Sequence, residues 1–512
     1  MVYQIFKIDR IHIKRGSKNV NSKYEVIIIG GGVVGCAIAR ELSKYNVNAA
    51  LLEKEADVSM GASCRNSGVC HAGFKYAPGS MRARVAVKGN AMMDDLCRDL
   101  KVKLKRIGKL TVALEKEDEP TLHAMKENGD ANGVPGVRVI YQDEMQKIQP
   151  GVEGVAALHS PTSAIVSPYN LTIGLAENAL ANGVNFHLGQ QVNAIERQAD
   201  GEWLVRTAAG YTFSARVIIN AAGLFSAEVC KMAGISEYKI YPCRGEYYIL
   251  DKRLDGTLKC LIYPAPKKHA AGWGTHLTPT VDGNILIGPT AEYLDDPEDF
   301  ACTAEIMAKL RREGQMLLPA MRGTDFIRNF AGSRAKQTPP EVGGNADFVI
   351  EDRKDLKGFI NLVGLESPGL TSAPAIAEMV VDMVKNHIAL SPDPSFNPAR
   401  PGRVDFFEEL SAEEKADLIA QDPNYGEIIC RCEKITKREV LDAIQNPLGA
   451  RTLVSIKYRG RASMGRCQGG FCIPRIVRLL RDEFGWKPED YLKRGKTSPM
   501  FVGNMRPKGG VA

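Results

Sequence analysis

The sequence lacks the features that mark membrane, repeat and largely disordered proteins. No uninterrupted apolar stretch in its 512 residues approaches the length of about 18 that a membrane-spanning helix needs. The first 22 residues carry basic side chains but no apolar segment of signal-peptide length, so we expect a cytoplasmic protein. Internal repeats and low-complexity tracts are also missing, which argues against solenoids and long disordered regions.

Composition and charge indicate a globular protein with a distinct C-terminal module. Apolar residues make up 44% and charged residues 25%, and a chain of this length suggests about three domains. The net charge of +7 is too small to indicate a nucleic-acid-binding protein by itself. However, residues 431–512 contain 18 Lys and Arg against 7 Asp and Glu, which leaves a net charge of −4 for the rest. Few aromatic residues are interleaved with this basic charge, so nucleic-acid binding is disfavoured.

A nucleotide-binding motif follows the first apolar run. Residues 24–29 predict a buried parallel strand, and Gly30, Gly32 and Gly35 have the spacing G-x-G-x-x-G at the start of a predicted helix. These glycines permit a tight turn, close approach of the backbone to a diphosphate, and close helix packing. A second strand ends at Glu53, 18 residues past Gly35, where a carboxylate accepts hydrogen bonds from ribose hydroxyls. The alternatives are FAD, NAD or a purely structural turn.

Four of the 12 cysteines form a spaced set near the C-terminus. Cys430 and Cys432 are separated by 34 residues from the pair Cys467 and Cys472. Thiolates are soft ligands suited to zinc or to an iron–sulfur cluster. The C-x-C spacing is too close for a zinc ribbon, and the Gly-rich loop between Cys467 and Cys472 can offer N–H groups to sulfur. The pattern therefore favours [2Fe–2S] over zinc.

Several segments carry a resemblance to known families. Residues 64–73 resemble the FAD-dependent D-amino-acid-oxidase-like superfamily. Within it, residues 66–80 are similar to the branch of glycerol-3-phosphate and L-2-hydroxyglutarate dehydrogenases. Further matches lie at 165–168, 217–226, 244–247, 283–289 and 364–371, and the resemblance spans about 24–387. The cysteine set, with residues 462–470, resembles the bacterioferritin-associated-ferredoxin-like [2Fe–2S] domain.

The resemblance within that branch points to two substrates. Residues 78–83 and 278–292 are most similar to the large-subunit type of anaerobic glycerol-3-phosphate dehydrogenases. Residues 262–266 and 274–278 resemble the L-2-hydroxyglutarate enzymes instead. The glycerol-phosphate enzymes often carry a Lys near residue 273, where this chain has the sequence Gly-Trp-Gly at 272–274. Glycerol 3-phosphate is the leading prediction, and L-2-hydroxyglutarate is the alternative.

The resemblance implies FAD as the cofactor and assigns residues to it. A predicted helix over 371–384 would turn its positive end toward the flavin ring, where negative charge grows on reduction. On the residues alone, a simple strand–loop–helix unit explains this segment equally well. The expected FAD-binding residues are Gly30, Gly32, Gly35, Glu53, Ser63, Asn66, Ala222, Gly223, Gly364, Gly369, Leu370 and Thr371.

The expected reaction removes a hydride from a carbinol carbon and needs a base and a clamp for an anion. His71 is the candidate base, because an imidazole accepts protons near neutrality; the alternative is a structural histidine. Arg334 is the candidate clamp, because a guanidinium matches carboxylate or phosphate geometry; the alternative is a surface arginine. Weaker candidates are Ser67, Tyr247, His276 and Ser367. Tyr247 and Tyr248 alternate along one strand, so at most one of them lies in the site.

Two redox centres in one chain indicate where the electrons go. A flavin takes two electrons together, whereas a [2Fe–2S] cluster passes one at a time. We therefore expect a dehydrogenase of a small anionic hydroxy substrate that reduces an acceptor other than oxygen. The resemblance implies electron-transfer partner subunits, with peripheral membrane association through such a partner. The alternatives are a non-catalytic electron-transfer subunit and an oxidase that makes hydrogen peroxide.

The expected fold class is α/β: a discontinuous Rossmann-like FAD-binding domain, an α+β substrate domain on an antiparallel sheet, and a small C-terminal [2Fe–2S] domain. The FAD-binding domain is assigned to 24–100, 151–237 and 325–390, and the substrate domain to 101–150 and 238–324. The remaining segments are an N-terminal extension at 1–23, a Pro-rich linker at 391–425, the cluster domain at 426–490 and a tail at 491–512.

Overall fold

The computed structural model describes residues 21–266, 274–402 and 406–503. Most of the N-terminal extension, Gly272, Trp273 and the end of the tail therefore lie outside the described residues. Within the described ranges, no helix has the length and apolar character needed to cross a lipid bilayer. The fold is mixed α/β, as expected, and contains two large sheets.

The first large sheet, called here the flavin sheet, has six strands. Their order across the sheet is Asn185–Leu188, Ala49–Glu53, Val26–Ile29, Val217–Asn220, Phe359–Val363 and Val349–Asp352. The first five strands are parallel and the last is antiparallel. The four inner strands are buried along their whole length because both faces of the sheet are covered, whereas the two edge strands are partly exposed. The strand predicted at 24–29 is observed as Val26–Ile29, and the second predicted strand ends at Glu53 as expected.

Helices and a small sheet cover the two faces of the flavin sheet. One face packs on the helices Val33–Leu42, Met81–Asp99, Pro168–Ala181 and Gly369–Val384. The other packs on helix Ser226–Met232 and on a four-stranded sheet, Asn21–Lys23, Thr212–Ala215, Trp203–Thr207 and Val192–Arg197. The last helix on the first face begins at Gly369 rather than at residue 371, so Pro374 lies inside it and not in its first turn.

The second large sheet, called here the substrate sheet, has nine strands among the described residues. Eight lie in the order Glu292–Tyr293, Tyr241–Leu250, Ile285–Gly288, His276–Pro279, Leu261–Pro264, Lys109–Ala113, Ala156–Ser160 and Arg138–Tyr141. The ninth, Phe326–Lys336, pairs antiparallel with Tyr241–Leu250. The helices that contact the substrate sheet are Glu119–Ala131, Gln142–Ile148 and Ala304–Leu317. Strands Val69–Cys70, Ala164–Val166 and Leu104–Lys105 form a small third sheet.

The substrate sheet corrects two of the expected domain boundaries. Strand Ala156–Ser160 was expected in the FAD-binding segment 151–237, but it pairs with Lys109–Ala113. Strand Phe326–Lys336 was expected in the segment 325–390, but it follows Tyr241–Leu250 along almost its whole length. The physical reason is the same in both cases, since a strand belongs to the sheet that satisfies its backbone hydrogen bonds.

The C-terminal domain is small and mostly helical. It holds a two-stranded ladder, Ile428–Cys430 and Ile435–Thr436, and helices Lys437–Ile444, Leu453–Gly460 and Cys472–Phe484 around a core of its own. Helix Ala412–Gln421 precedes it and begins with a capping box, in which Ser411 and Glu414 exchange hydrogen bonds. Short 3-10 helices lie at Ala62–Cys64, Lys116–Asp118, Gly223–Phe225, Lys252–Leu254, Gly323–Asp325, Phe407–Glu409, Pro423–Gly426 and Pro488–Asp490.

The expected linker is held against the flavin domain over its first ten residues, 391–400. The Asn178 side chain donates hydrogen bonds to the backbone oxygens of Asn397 (3.0 Å) and Ala399 (3.1 Å). Arg400 forms a buried ion pair with Glu177 at 2.6 Å. These contacts make residues 391–400 a bound strap rather than the free semi-rigid spacer that their Pro content indicates.

Candidate active site and cluster site

A cleft of about 1180 Å³ lies between the flavin sheet and the substrate sheet. Its lining includes the ends of the parallel strands and the inner face of the substrate sheet. This is the edge of an open α/β sheet where ligands bind, beyond the carboxyl ends of the strands. Fifteen of the residues selected from the sequence line it: Gly30, Gly32, Glu53, Ser63, Asn66, Ser67, His71, Ala222, Gly223, Tyr247, His276, Arg334, Ser367, Gly369 and Leu370.

The glycine motif forms a tight turn at one end of the cleft. Gly30 has φ +113°, and a Cβ there would lie 2.5 Å from the carbonyl oxygen of Ala221. A Cβ on Gly35 would overlap the carbonyl oxygen of Gly30, so Gly35 serves the packing of helix Val33–Leu42 and does not line the cleft. Both positions therefore require glycine for the reasons that the motif implies.

The carboxylate of Glu53 is fixed where the second strand ends. Its Oε2 accepts a hydrogen bond from the backbone N–H of Gly31 (2.6 Å), and its Oε1 accepts one from Glu55 (2.8 Å). Burial raises the pKa of Glu53, and the two backbone donors oppose that rise. The result is an oriented acceptor beside the glycine turn.

The start of the first helix is open toward the cleft. Its N-cap, Gly32, offers no side-chain cap, and the N–H of Val33 donates to Ser63 Oγ at 2.9 Å. Asn66 holds the loop that carries Ser63, because its Nδ2 donates to the oxygen of Ser63 (3.0 Å) while its Oδ1 accepts from Gly68 N–H (2.9 Å). Free N–H groups and the positive end of the helix dipole favour a phosphate at this place.

Two other selected residues lie behind the cleft wall. Gly364 has φ +70°, and the Gln337 side chain occupies the space that a Cβ would need. Thr371 is fully buried, and its Oγ1 accepts the backbone N–H of His71 at 2.9 Å. Thr371 therefore fixes the loop that presents His71, whereas Gly369 and Leu370 reach the cleft itself.

His71 lies in a loop that is held from both sides. Besides its N–H bond to Thr371, its carbonyl oxygen accepts from Asn90 Nδ2 at 3.2 Å. Burial lowers the pKa of His71 well below 6.5, and the nearby charges of Lys109 and Lys75 lower it further. The imidazole is therefore neutral at pH 7 and can accept a proton.

The selected residues of the substrate sheet face His71 across the cleft. Tyr247 stacks on Phe330 with ring centroids 4.6 Å apart and shares a hydrogen bond with Ser67. Tyr248 points to the opposite face and packs edge-on against Phe326, so of these two tyrosines Tyr247 alone lines the cleft. Arg334 donates from Nη1 to the backbone oxygen of Thr290 at 3.2 Å.

Two further candidates complete this half of the cleft. His276 bonds through Nδ1 to the backbone oxygen of Gly274 (2.9 Å) and stacks on Tyr263 at 3.7 Å. Burial lowers the pKa of His276 to about 3, so this ring is neutral as well. Ser367 hydrogen-bonds Tyr76, whose pKa burial raises to about 12.

The structure adds cationic residues that sequence reasoning missed. Lys75 lines the cleft, and burial lowers its pKa to about 8. Lys109 is buried with its ammonium 3.5 Å above the ring of Tyr263. Arg82 and Lys336 pair with the buried Glu366 at 2.9 and 3.4 Å. One signal was present in the sequence, because Lys109 is the only charged residue of its otherwise uncharged strand.

The four selected cysteines form two pairs in the C-terminal domain. Cys430 and Cys472 are buried and hydrogen-bonded to each other, whereas Cys432 and Cys467 are exposed and hydrogen-bonded to each other. Across the described residues, no group of three or more His, Cys, Asp or Glu side chains is arranged around a metal ion. Two thiol pairs are the donor set for two irons, so the arrangement fits a [2Fe–2S] cluster.

Backbone N–H groups are directed at these thiols. Those of Ser463 and Glu433 donate to Cys430, and those of Phe471 and Gly469 donate to Cys467. The hydrogen bond from Cys472 lowers the pKa of Cys430 to about 6. N–H donors of this kind stabilise thiolates and the sulfurs of an iron–sulfur cluster.

Comparison with known proteins decides the family. The family model of FAD dependent oxidoreductases matches residues 25–383, well over half of the sequence. The chain belongs to the FAD dependent oxidoreductase family. A second model, the BFD-like [2Fe-2S] binding domain, matches residues 428–482. The protein is therefore a FAD-dependent oxidoreductase with a C-terminal [2Fe–2S] domain, and both expected cofactors are confirmed.

Individual relatives of this oxidoreductase act on small hydroxy acids and alcohols. A glycerol 3-phosphate dehydrogenase of Caloramator mitchellensis is 41% identical over 94% of this chain and 98% of its own. An L-2-hydroxyglutarate dehydrogenase of Indibacter alkaliphilus is 32% identical over 70% of this chain and 98% of its own. The solved structure of L-alpha-glycerophosphate oxidase from Mycoplasma pneumoniae has a TM-score of 0.68 at 29% identity, covering 74% of this chain and 98% of that one.

The cleft of this oxidoreductase fits FAD on its own geometry. The uncapped helix start and Ser63 suit a diphosphate, and the oriented Glu53 suits ribose hydroxyls. A Cβ on Gly32 would lie 3.3 Å from Ser63 Oγ and would fill the space between them. FAD-binding roles for these residues remain predictions that rest on this fit.

The cluster domain of the oxidoreductase is fastened to the flavin domain by buried ion pairs. Arg459 pairs with Asp57 at 2.5 Å and with Glu177 at 3.1 Å. Two residues away, Arg461 pairs with Glu433 of its own domain at 2.9 Å and also with Asp282, which lies in the substrate domain. All four carboxylates and both guanidinium groups are buried, so the cluster domain docks in the one arrangement that pairs these charges.

Aromatic residues lie beside these ion pairs. Tyr169 and Tyr458 stack across the interface with ring centroids 4.9 Å apart. The Tyr458 hydroxyl also hydrogen-bonds Cys64, in the loop that carries Ser63 and Asn66. The cluster domain thus contacts the segment that forms one wall of the flavin cleft.

Proposed function

We propose that this protein oxidises glycerol 3-phosphate to dihydroxyacetone phosphate and passes the electrons through its [2Fe–2S] domain to an acceptor other than oxygen. One observation carries the proposal: cationic side chains surround the neutral His71 inside the cleft. Lys75 and Arg334 line this end, and the amino group of Lys109, whose pKa burial lowers well below 10.5, lies 3.5 Å above the ring of Tyr263. Buried cations at this density favour a dianionic substrate such as a phosphate monoester.

The residues of the chain then have separate roles. FAD, when bound, accepts the hydride from the carbinol carbon. A ring nitrogen of His71 takes the hydroxyl proton, because the lowered pKa of His71 keeps the imidazole unprotonated at neutral pH. Arg334 and Lys75 bind the phosphate, and their charge turns the carbinol toward His71.

The remaining candidates position the substrate. The hydroxyl of Tyr247, oriented by its hydrogen bond with Ser67, can donate to the substrate oxygen. The Nε2 of His276 is the ring atom left to face the cleft, because Nδ1 is engaged by Gly274. Ser367 orders Tyr76 at the rim.

The exposed cysteine pair supports the direction of electron flow. Cys430 and Cys472 are buried, whereas Cys432 and Cys467 open to solvent. An external one-electron acceptor can therefore approach one side of the cluster site. Two further expectations belong to this proposal: partner electron-transfer subunits, which the resemblance implies, and a cytoplasmic location, which the N-terminal sequence indicates.

The test is an anaerobic reaction of the holoprotein with a panel of alcohols, followed by flavin absorbance. We expect glycerol 3-phosphate to bleach the flavin and uncharged glycerol to leave it oxidised. Bleaching by L-2-hydroxyglutarate alone would replace the substrate while keeping the reaction class. That second candidate is favoured by the L-2-hydroxyglutarate dehydrogenases among the relatives, such as that of Indibacter alkaliphilus. No bleaching by any hydroxy compound would favour the non-catalytic subunit.

Fast reoxidation of the reduced flavin in air, with the cluster cysteines replaced, would indicate an oxidase. This reoxidation measurement is needed because another relative is a glycerol 3-phosphate oxidase of Mycoplasma genitalium, 32% identical over 73% of this chain and 97% of its own. We expect slow reoxidation, since the proposed route for electrons leads through the cluster.

A further inference from the structure

The C-terminal segment beyond the cluster domain folds back as a hairpin, residues 492–499. Leu492 and Pro499 form an antiparallel bridge. Ser498 closes the turn, because its Oγ accepts the backbone N–H groups of Arg494 (2.9 Å) and Gly495 (3.0 Å). This part of the expected tail is therefore an ordered element, called here the C-terminal hairpin.

The C-terminal hairpin is anchored to the cluster domain. The N–H groups of Leu453 and Val454, at the start of helix Leu453–Gly460, each donate at 3.0 Å to the carbonyl oxygens of Leu492 and Lys493. Tyr491, just before the hairpin, is buried in the core of the same domain. The position of the hairpin is thus set by the cluster domain.

The hairpin delivers one side chain, Arg494, to the flavin cleft. Arg494 lines the cleft, and its Nη2 donates to the backbone oxygen of Met60 in the flavin domain. Its guanidinium lies 5.5 Å from the ring centroid of Phe300, which the guanidinium of Arg65 approaches at 4.0 Å. Arg494 therefore bridges two domains at the cleft.

We propose that Arg494 binds the diphosphate of FAD, so that the cluster domain supplies part of the flavin site of its own chain. Met60 lies three residues before Ser63, whose hydroxyl bonds the first N–H of helix Val33–Leu42. That helix start is the diphosphate site indicated by the glycine motif. A guanidinium presents a planar fork of donors that matches two phosphate oxygens.

The inference is separate from the substrate assignment. Arg494 lies outside residues 25–383, the part matched by the FAD dependent oxidoreductase family. It therefore adds a contact that the family pattern does not include, and it holds whichever alcohol is oxidised. If Arg494 had a purely structural role, it would pack on Phe300 and Met60 without binding phosphate. Comparing nucleotides with and without a diphosphate distinguishes this role from diphosphate binding.

The experiment titrates full-length protein, freed of flavin but with its cluster intact, with FAD, ADP and adenosine. ADP carries the diphosphate without the flavin, and adenosine carries neither. We expect Arg494→Gln to weaken binding of FAD and ADP by about tenfold or more, as loss of a hydrogen-bonded charge implies, and to leave adenosine unchanged. Iron and sulfide content should equal that of the unaltered protein.

The matched control is Arg481→Gln, which removes an exposed guanidinium of the same domain that pairs with its neighbour Asp482 at 2.7 Å. It should bind all three probes normally. Unchanged affinity of Arg494→Gln for FAD and ADP would overturn the proposal, and so would an equal loss for ADP and adenosine. If Arg494→Gln does not fold, Arg494→Lys replaces it, because lysine keeps the positive charge but lacks the planar fork of donors. An ADP affinity that is several-fold weaker in Arg494→Lys supports the proposal. An unchanged ADP affinity refutes it.

Discussion

Arg459 and Asp57 form a buried ion pair across the boundary between the cluster domain and the flavin domain, with Nη1 2.5 Å from Oδ2. Asp57 lies four residues after Glu53, so the pair fastens the cluster domain to the segment that follows the predicted ribose acceptor. Removing one partner leaves a charge buried without its main counterion, which is costly.

The first prediction concerns this pair. Asp57→Ala should destabilise the docked arrangement by up to about 3–5 kcal/mol, the usual cost of breaking a buried pair, because Arg459 keeps Glu177 but loses its nearer carboxylate. Thermal unfolding and limited proteolysis between the domains measure the effect. Asp482→Ala, which breaks an exposed pair with Arg481, should change stability by less than about 1 kcal/mol. Equal effects of the two variants would show that the Arg459–Asp57 pair contributes nothing special.

The second prediction concerns His71 as the base. His71→Asn should slow flavin reduction by about 10²–10⁴-fold, the usual contribution of a positioned base, while FAD remains bound. The folded-state pKa of His71 is lowered by burial and by nearby lysines. The neutral form therefore persists as the pH falls through 6.5, and the rate in the unaltered protein should decline only at lower pH. A decline centred at or above pH 6.5 would argue for another base.

The third prediction concerns Lys75 and substrate affinity. Burial lowers its pKa to about 8, so the ammonium is charged below that pH and loses its proton above it. The KM for glycerol 3-phosphate should rise as the pH passes 8, and Lys75→Met should have a high KM that no longer depends on pH there. Lys88→Met, which removes an exposed lysine paired with Glu378, serves as the control.

The fourth prediction concerns acid stability and His276. Its pKa is about 3 in the folded protein and about 6.5 in an unfolded chain. The unfolded state therefore binds more protons between these values, and the stability that neutral His276 contributes is lost as the pH falls from 6.5 toward 3. The fall in Tm over this range should be smaller for His276→Gln. An identical pH dependence in the variant would exclude His276 as a source.

The fifth prediction separates the two redox centres. Cys467→Ser should abolish the [2Fe–2S] cluster, measured as bound iron and sulfide, without changing FAD content or the rate of flavin reduction. Cys302→Ser, at a half-buried cysteine outside the set, should keep the cluster. Loss of flavin reduction in Cys467→Ser would mean that the two centres are not independent.

The sequence was most informative where the chemistry is local. Gly30, Gly35 and Glu53 lie in one βαβ unit, so their spacing predicted both the turn and the acceptor that the structure shows. The cysteine set was equally readable, because few other metal sites use a C-x-C pair.

Contacts between residues that are distant in the sequence could not be predicted. Strand Phe326–Lys336 pairs with a strand that lies about 80 residues earlier in the sequence. The alternation of side chains along a strand does not identify the strand with which it pairs. The same holds for Lys109, whose role depends on its proximity to Tyr263 and His71 in the folded chain. No sequence feature indicated a role for Arg494 either, since its neighbours Met60 and Phe300 come from two distant segments.

The strap at residues 391–400 has a consequence for how copies of this protein cooperate. Since its backbone is hydrogen-bonded to Asn178 of the same flavin domain, each iron–sulfur module is tethered to its own molecule. Electrons should pass within one polypeptide at a rate independent of dilution. A mixture of one variant without iron and another without flavin should then show no complementation.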